Sequence, residues 1–393
     1  MTIISGPPKS DKEGVLVSTL DAARDSGYQK DSNILVFRHP KDSSHPEKIG
    51  NHDVNKVTDS IEDIYEKITP RTRNVIIAGA AHYDLEMAVL TDALVRSNRN
   101  VILTGPNLDV EGKPYGCMPD LMALADDVIL TKAFCYKPDC DDTEATRGVM
   151  VDGEFEGVCA QHYYFPRSPS IEKRSAGSLT MLLGPMFSGK TRGWGNHIKK
   201  VDAKKIKKII FKPLKANRYG QPEGEIFGQG DITLNSNERI PGAILIQTAE
   251  DMRTYLRQHP TVKHIFRDEI QFIPGIYDLT FDLLAEGYNL YDTGLPRGFN
   301  RKSFGEVSKL MCLSDVVEMN YSTCVPCGHP GTENQRMKRD GEKVFPAHKD
   351  DPMEAPGGSD SGKEPYYYEA RCLAQWVLRG EPENKFRLER YMP

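Results

Sequence analysis

Short apolar runs alternate along this chain with longer stretches whose apolar residues recur at helical spacing. Leu179 to Leu183, Asn33 to Pro40 (NILVFRHP) and Lys207 to Pro213 (KKIIFKP) read as buried strands, the last two running into a proline turn. From Arg73 to Cys140, and again from Lys263 to Cys327, the pattern is a strand, an amphipathic helix and a second strand ending LTGPNLD or YDTGLPR. A Tyr-Gly or Phe-Gly pair follows, then ADDVILTKAFC or SDVVEMNYSTC. Alternation of this kind predicts an α/β fold: a mostly parallel sheet with helices on both faces. The two stretches keep a register of 189 residues, from Ile77 against Phe266 to Cys135 against Cys324, so the fold is expected twice. The segment FPRSPSIEKRSAGS has no apolar period and reads as an exposed linker. The expected division is 1–166, a linker at 167–178, 179–380, and a charged tail at 381–393 that has no counterpart in the first copy.

A length of 393 residues suits two such domains, and 38 % hydrophobic with 27 % charged residues is an ordinary globular composition. A net charge of −5 supplies no attraction for a nucleic acid. No apolar run approaches the roughly 20 residues of a membrane span, and the start of the chain lacks the basic and apolar segments of a signal peptide. A cytoplasmic setting is expected, where eight cysteines point to metal sites or buried thiols more than to disulfides.

Behind Leu179 to Leu183 stands Gly184-Pro185-Met186-Phe187-Ser188-Gly189-Lys190-Thr191, a complete G-x-x-x-x-G-K-[ST] phosphate loop. Its glycines let backbone N–H groups turn in on phosphate oxygens, Lys190 supplies mobile positive charge, and the Thr191 hydroxyl suits Mg²⁺. A nucleoside triphosphate is therefore expected here. The strand from His264 to Arg267 ends in Asp268-Glu269, where Mg²⁺ and a general base belong beside such a loop. The first copy has a worn version, Gly6-Pro7 through Ser10 to Lys12, with Asp11 in place of Gly189, Glu13 in place of Thr191, and Gly79-Ala80 in place of the acidic pair. Carboxylates at a phosphate cradle oppose binding, so the first copy reads as catalytically dead.

Six cysteines fall at matching places. Cys135, Cys140, Cys159 and His162 form a Cys₃His set of structural zinc ligands in the first copy. Cys324, Cys327 and Cys372 form the second set, in which Gln375 is a poor fourth ligand; either His329 or His348 completes it, or zinc has been lost there. Cys117 and Cys312 read as buried thiols.

The ordered motifs GPMFSGKT (184–191), KPLKANRYG (212–220), DEIQF (268–272), GLPRGFNRKSFG (294–305) and the loop between Cys324 and Cys372 resemble the type II thymidine kinases, the zinc-containing P-loop kinases of the cellular and poxvirus kind. The likeness covers about 200 residues of the second copy and, more weakly, the first. It implies a P-loop NTPase-like sheet with a small zinc-ribbon lasso (320–376 in the second copy), present twice. The implied reaction is transfer of the γ-phosphoryl of ATP to the 5′-hydroxyl of thymidine or a close deoxynucleoside. Lys190 would bridge the β and γ phosphates, while Thr191 and Asp268 hold Mg²⁺, with Gln271 grouped on the nucleotide side. Glu269 would take the hydroxyl proton and Arg218 offset developing charge. Met186, Phe272, Leu295 and Phe299 would wall the base, with Tyr368 closing over it. The cysteine-bracketed loop spans 44 residues in the second copy and 18 in the first.

Departures from the family pattern concern the substrate. Ala216 replaces an aspartate, Gln229-Gly230-Asp231 replaces Ser-His-Asp, and Asn334-Gln335-Arg336 replaces T-x-R, which sets Asn334 against the pyrimidine. The competing reading is a nucleotide-binding regulatory or assembly protein that has lost phosphoryl transfer. Family members commonly form tetramers, so a fused pair is expected to form a homodimer as a pseudo-tetramer.

Overall fold

The computed structural model describes all residues except 26–32, 43–46, 139, 141–143, 166–175, 217–225, 236–237, 356–364, 382 and 390–393. Arg218 and most of the expected linker lie outside the described residues. The chain forms two compact units, Met1–Arg174 together with Glu383–Pro393, and Ser175–Pro382.

The first unit is built on a six-stranded sheet in the order Lys56–Val57, Ile34–Arg38, Asn74–Ala78, Asn100–Gly105, Thr2–Ser5, Asp127–Leu130. Every pairing in it is parallel. Val75, Ile76 and Ile77 are consecutive and all buried, as a parallel strand covered on both faces requires. One face carries the helix Lys12–Asp25, whose Leu16 and Leu20 pack with Ile4, Val36 and Ile76. The helix Glu86–Arg96 buries Met87, Leu90, Leu94 and their neighbours at helical spacing.

The charged tail is part of this unit. Phe386 is buried with its ring 5.2 Å from that of Tyr65, Tyr65 Oη donates to Arg387 O at 3.0 Å, and Arg99 Nη1 donates to Glu389 O at 2.9 Å. Among the described residues no helix is long and apolar enough to cross a membrane.

The second unit repeats the strand order with one addition. Glu238–Ile246, Lys208–Pro213, His264–Arg267, Asn289–Gly294, Ser178–Leu183 and Val316–Met319 lie side by side and parallel, and Gln229–Asn235 is added antiparallel at the first edge. Ser178, placed in the linker by composition, is the first residue of its strand. The helix Lys190–Ala203 buries Trp194, Ile198 and Val201 on Leu182, Ile210 and Phe266, and Trp194 Nε1 donates to Tyr291 O at 2.9 Å. Thr248 and Asp251 form a capping box on the helix Ala249–Arg257.

Beyond the last sheet strand, a small antiparallel sheet of Lys343–Pro346, Glu333–Asp340 and Tyr366–Arg371 forms the lasso. Its counterpart in the first unit is the hairpin Arg147–Val151/Glu154–Val158.

At the centre of the second sheet a fully buried ion pair joins neighbouring strands. Arg267 Nε and Nη2 each lie 2.6 Å from the Asp292 carboxylate, and Nη1 donates to Thr280 Oγ1 at 2.8 Å. Burial raises the pKa of Asp292 while Arg267 pulls it down. At the register of 189, the first unit has Ala78 and Leu103 at these two places, both buried. Arg267→Met is therefore expected to lose about 3–5 kcal/mol of stability by leaving a buried carboxylate unpaired. Arg267→Met combined with Asp292→Leu should recover most of that loss in a urea unfolding midpoint; an undiminished midpoint in the single variant would contradict the assignment.

Candidate active site and metal clusters

The phosphate loop of the second unit joins the strand Ser178–Leu183 to the helix Lys190–Ala203. Its backbone turns left-handed at Phe187 (φ 64°) and at Gly189 (φ 76°). At Gly184 any Cβ would stand 2.5 Å from Asn320 O and 2.7 Å from Ser188 Oγ, so only glycine fits. Lys190 is buried with its ammonium donating to Pro185 O at 3.3 Å. Ser188 Oγ is buried without a hydrogen-bond partner, which marks the loop as a cradle built for an incoming acceptor.

The neighbouring strand end delivers the acidic pair. Asp268 is buried, and its carboxyl is pushed up to about 7, first by burial and then by the charge of Glu269, against the pull of Lys212 and Lys190. Two adjacent carboxylates at the mouth of a phosphate loop, one of them buried, form a donor set that a divalent cation satisfies. Glu269 sits in the left-handed region (φ 47°, ψ 48°), at the entry to a short helical turn, Ile270–Phe272.

Gln271 differs from its expected place on the nucleotide side. Its amide N donates to Glu269 Oε2 and its Oε1 accepts from Leu295 N at 3.1 Å. It braces Glu269 against the acceptor loop.

A cavity of about 100 Å³ adjoins Glu269. Its wall includes all six residues expected at the nucleoside: Met186, Phe272, Leu295, Phe299, Asn334 and Tyr368. Phe304, Met353 and Arg336 also line it. Phe304 meets Phe272 edge-on at 5.3 Å and belongs to the GLPRGFNRKSFG motif, which could have pointed to it. The Arg336 guanidinium stacks 3.8 Å from the Phe299 ring centre and donates from Nε to Tyr368 Oη at 2.9 Å; nothing in the local sequence marks it.

Asn334 lines the cavity but its amide is already engaged. Oδ1 accepts from Met186 N at 2.7 Å and Nδ2 donates to Arg297 O at 3.1 Å. It ties the lasso to the phosphate loop, and its amide keeps a second N–H and a second lone pair beyond these two bonds.

The thymidine kinase family model matches residues 1–168 and 177–375. The chain belongs to the thymidine kinase family. The match is double, and the two units share a strand order, as a tandem thymidine kinase-family protein requires.

Both cysteine clusters assemble as expected of such a protein. In the first unit one ligand atom from each of Cys135, Cys140, Cys159 and His162 lies within 4.8 Å of the others. Cys140 and Cys159 sulfurs are 3.9 Å apart, and His162 Nδ1 is 3.2 Å from Cys159 Sγ and 3.5 Å from Cys135 Sγ. A tetrahedron with Zn–S bonds of about 2.3 Å has edges of about 3.8 Å, so the set fits zinc.

In the second unit Cys324, Cys327 and Cys372 converge, with sulfur separations of 3.3 and 3.6 Å from Cys327. His329 Nδ1 lies 3.4 Å from Cys327 Sγ, whereas His348 is turned to Asp350. Of the two candidate histidines His329 is the one in contact with a cluster cysteine, but it touches Cys327 and stands outside the set of three sulfurs that converge. Cys117 and Cys312 are buried and stand outside both clusters, with Cys117 Sγ donating to Ala80 O at 3.3 Å.

Metal analysis of the purified protein is expected to give two zinc ions per chain. Cys159→Ser and Cys327→Ser should each remove one, and full metal retention in either variant would contradict the corresponding cluster.

Proposed function

We propose that the second unit phosphorylates the 5′-hydroxyl of thymidine, or a closely related pyrimidine deoxynucleoside, at the expense of Mg·ATP. The observation that carries this reading is that Glu269 lines the same cavity as Met186, Phe272, Phe299 and Tyr368 while its neighbour Asp268 faces the phosphate-loop lysine electrostatically. One end of the site thus suits a flat apolar ring, and the other suits phosphates.

In this reading the loop amides between Gly184 and Thr191 and the Lys190 ammonium hold the phosphates, and Lys190 exchanges its bond to Pro185 O for a phosphate oxygen. Thr191 and Asp268 hold magnesium, which when bound neutralises phosphate charge. Glu269, oriented by Gln271, accepts the proton of the attacking hydroxyl. Arg218 keeps its expected role near the transferring group. The nucleobase packs against Phe272, Leu295 and Phe299, with Met186 and Tyr368 closing the walls. Such a kinase works on a soluble nucleoside in the cytoplasm, and a homodimer gives the fused pair the family's four-domain assembly.

The first unit lacks these groups. Gly79 and Ala80 stand at the acidic pair, and Glu13 replaces the magnesium-binding threonine.

ATP consumption by the whole protein is expected to depend on added nucleoside, with thymidine preferred in a panel including deoxyuridine and deoxycytidine. Glu269→Gln should lower kcat by about 10²- to 10⁴-fold, the usual contribution of a general base, while nucleotide binding persists. Absence of turnover on every pyrimidine deoxynucleoside would overturn the reading in favour of a nucleotide-binding regulator.

A further inference from the structure

The first unit has lost the groups for catalysis but not its cavity. A space of about 580 Å³ opens between the worn phosphate loop, the end of the strand Ile34–Arg38, and Tyr115 and Phe155.

Its charges are unevenly paired. Three carboxylates line it, and each is already bonded. Glu13 accepts from Arg38 Nη2 at 2.9 Å and from Gly50 N at 3.0 Å; Asp42 accepts from Arg38 Nε at 2.9 Å; Asp109 accepts from the backbone of Glu111 and Lys113 at 2.8 and 2.9 Å. Lys12 is different. Among the described residues its half-buried ammonium donates only to neutral oxygens: Gly6 O at 3.2 Å, Ser10 Oγ at 3.0 Å, and Pro7 O. Burial pushes Lys12 down to about 8, with Asp42 acting in the opposite direction. Lys41 adds positive charge at the rim. With Lys9 paired to Glu156, the remaining lining charges balance, Lys12, Arg38 and Lys41 against Glu13, Asp42 and Asp109, but Arg38 takes the Glu13 and Asp42 carboxylates and Lys12 is left in contact with neutral oxygens, so an anion would restore what burial costs Lys12.

The magnesium donors are gone. Arg38 occupies the Glu13 carboxylate, and at Gly79 (φ 74°) a Cβ would stand 2.7 Å from Asp42 Cβ, leaving no place for a second acidic side chain. The cradle is also shortened. Lys9 (φ 57°) repeats the left-handed bend of Phe187 (φ 64°), but Asp11 does not repeat the turn that Gly189 makes at φ 76°. One phosphoryl group fits this remnant better than a chain of three.

At the far end, Pro106, Val110 and Tyr115 stand where the second unit has Leu295, Phe299 and Phe304. The His82 ring meets Tyr115 edge-on at 5.4 Å, so this end also offers flat apolar surface.

We propose that the first unit binds a pyrimidine nucleoside 5′-monophosphate without magnesium, with Lys12 on the phosphate and the ring against Val110 and Tyr115. The choice of nucleoside rests on the acceptor proposed for the second unit; the metal-free anion site does not.

The test is calorimetric titration of the whole protein with thymidine 5′-monophosphate in EDTA. Saturable binding is expected, weakened at least tenfold by Lys12→Met and by Val110→Trp, which fills the cavity from an exposed position, and unchanged in Lys190→Met. If Lys12→Met does not fold, Val110→Trp decides. At the site that Val110→Trp removes, thymidine alone and inorganic phosphate alone should each bind at least tenfold more weakly than the nucleotide, whatever thymidine binds in the second unit.

Three results would overturn the proposal. These are no saturable binding in EDTA, binding that Lys190→Met abolishes while Lys12→Met and Val110→Trp leave it intact, and inorganic phosphate binding as tightly as the nucleotide, which would mean an adventitious ion only. Turnover of the pyrimidine deoxynucleoside panel measured on the same wild-type preparation separates the two readings: its absence on every member overturns the kinase assignment, while the EDTA titration still decides this one.

Discussion

Four consecutive buried polar side chains, Glu333 to Arg336, hold the second unit's pocket together. None is more than 2 % exposed. Glu333 binds Arg297 and Arg301, Asn334 joins Met186 N to Arg297 O, Gln335 exchanges bonds with Val377, and Arg336 reaches Tyr368 and the carbonyls of Pro352 and Met353. Burying so many polar groups is costly unless each is bonded, which specifies one closure of the lasso over the phosphate loop and the 294–305 segment. The apolar walls then fall into place as a consequence. Phe299 is stacked by Arg336 and its carbonyl accepts from Trp376 Nε1 at 3.1 Å.

Shared topology makes the two units a natural comparison of what a fold supplies and what its side chains add. Both put a loop between the first strand and the following helix, both line a cavity behind it, and both tie their lasso with converging cysteines. What differs is charge. In the second unit, acidic groups act on a lysine at a site suited to a cation; in the first, one guanidinium binds both Glu13 and Asp42, and Lys12 is left bonded to neutral oxygens. Duplication thus preserved the scaffold while electrostatics diverged, and ligand chemistry follows the electrostatics.

Much of the fold and site was legible in the sequence where local constraints act. The phosphate loop, the acidic pair and the first zinc set are written in short motifs whose spacing dictates geometry. Met186, Phe272, Leu295 and Phe299 were placed because the 189-residue register and the ordered motifs locate them on known elements. The tie from Asn334 to Met186 could not be read, because the two are 148 residues apart and no local pattern joins them. The bonds of Gln271 to Glu269 and Leu295 were hidden for the same reason, and although Arg336 belongs to the Asn-Gln-Arg triplet, nothing local shows its stacking on Phe299. The tail defeated pattern reading in another way. It is charged and has no counterpart in the first copy to compare with, and its docking rests on Phe386 against Tyr65 together with bonds from Tyr65 and Arg99 to its backbone.

The proposed division of labour gives magnesium triphosphate to the second unit and not to the first. The most direct test is the stoichiometry of a non-hydrolysable ATP analogue bound in excess Mg²⁺. One equivalent per chain is predicted, lost in Lys190→Met. Two equivalents per chain, or one that survives Lys190→Met, would contradict it.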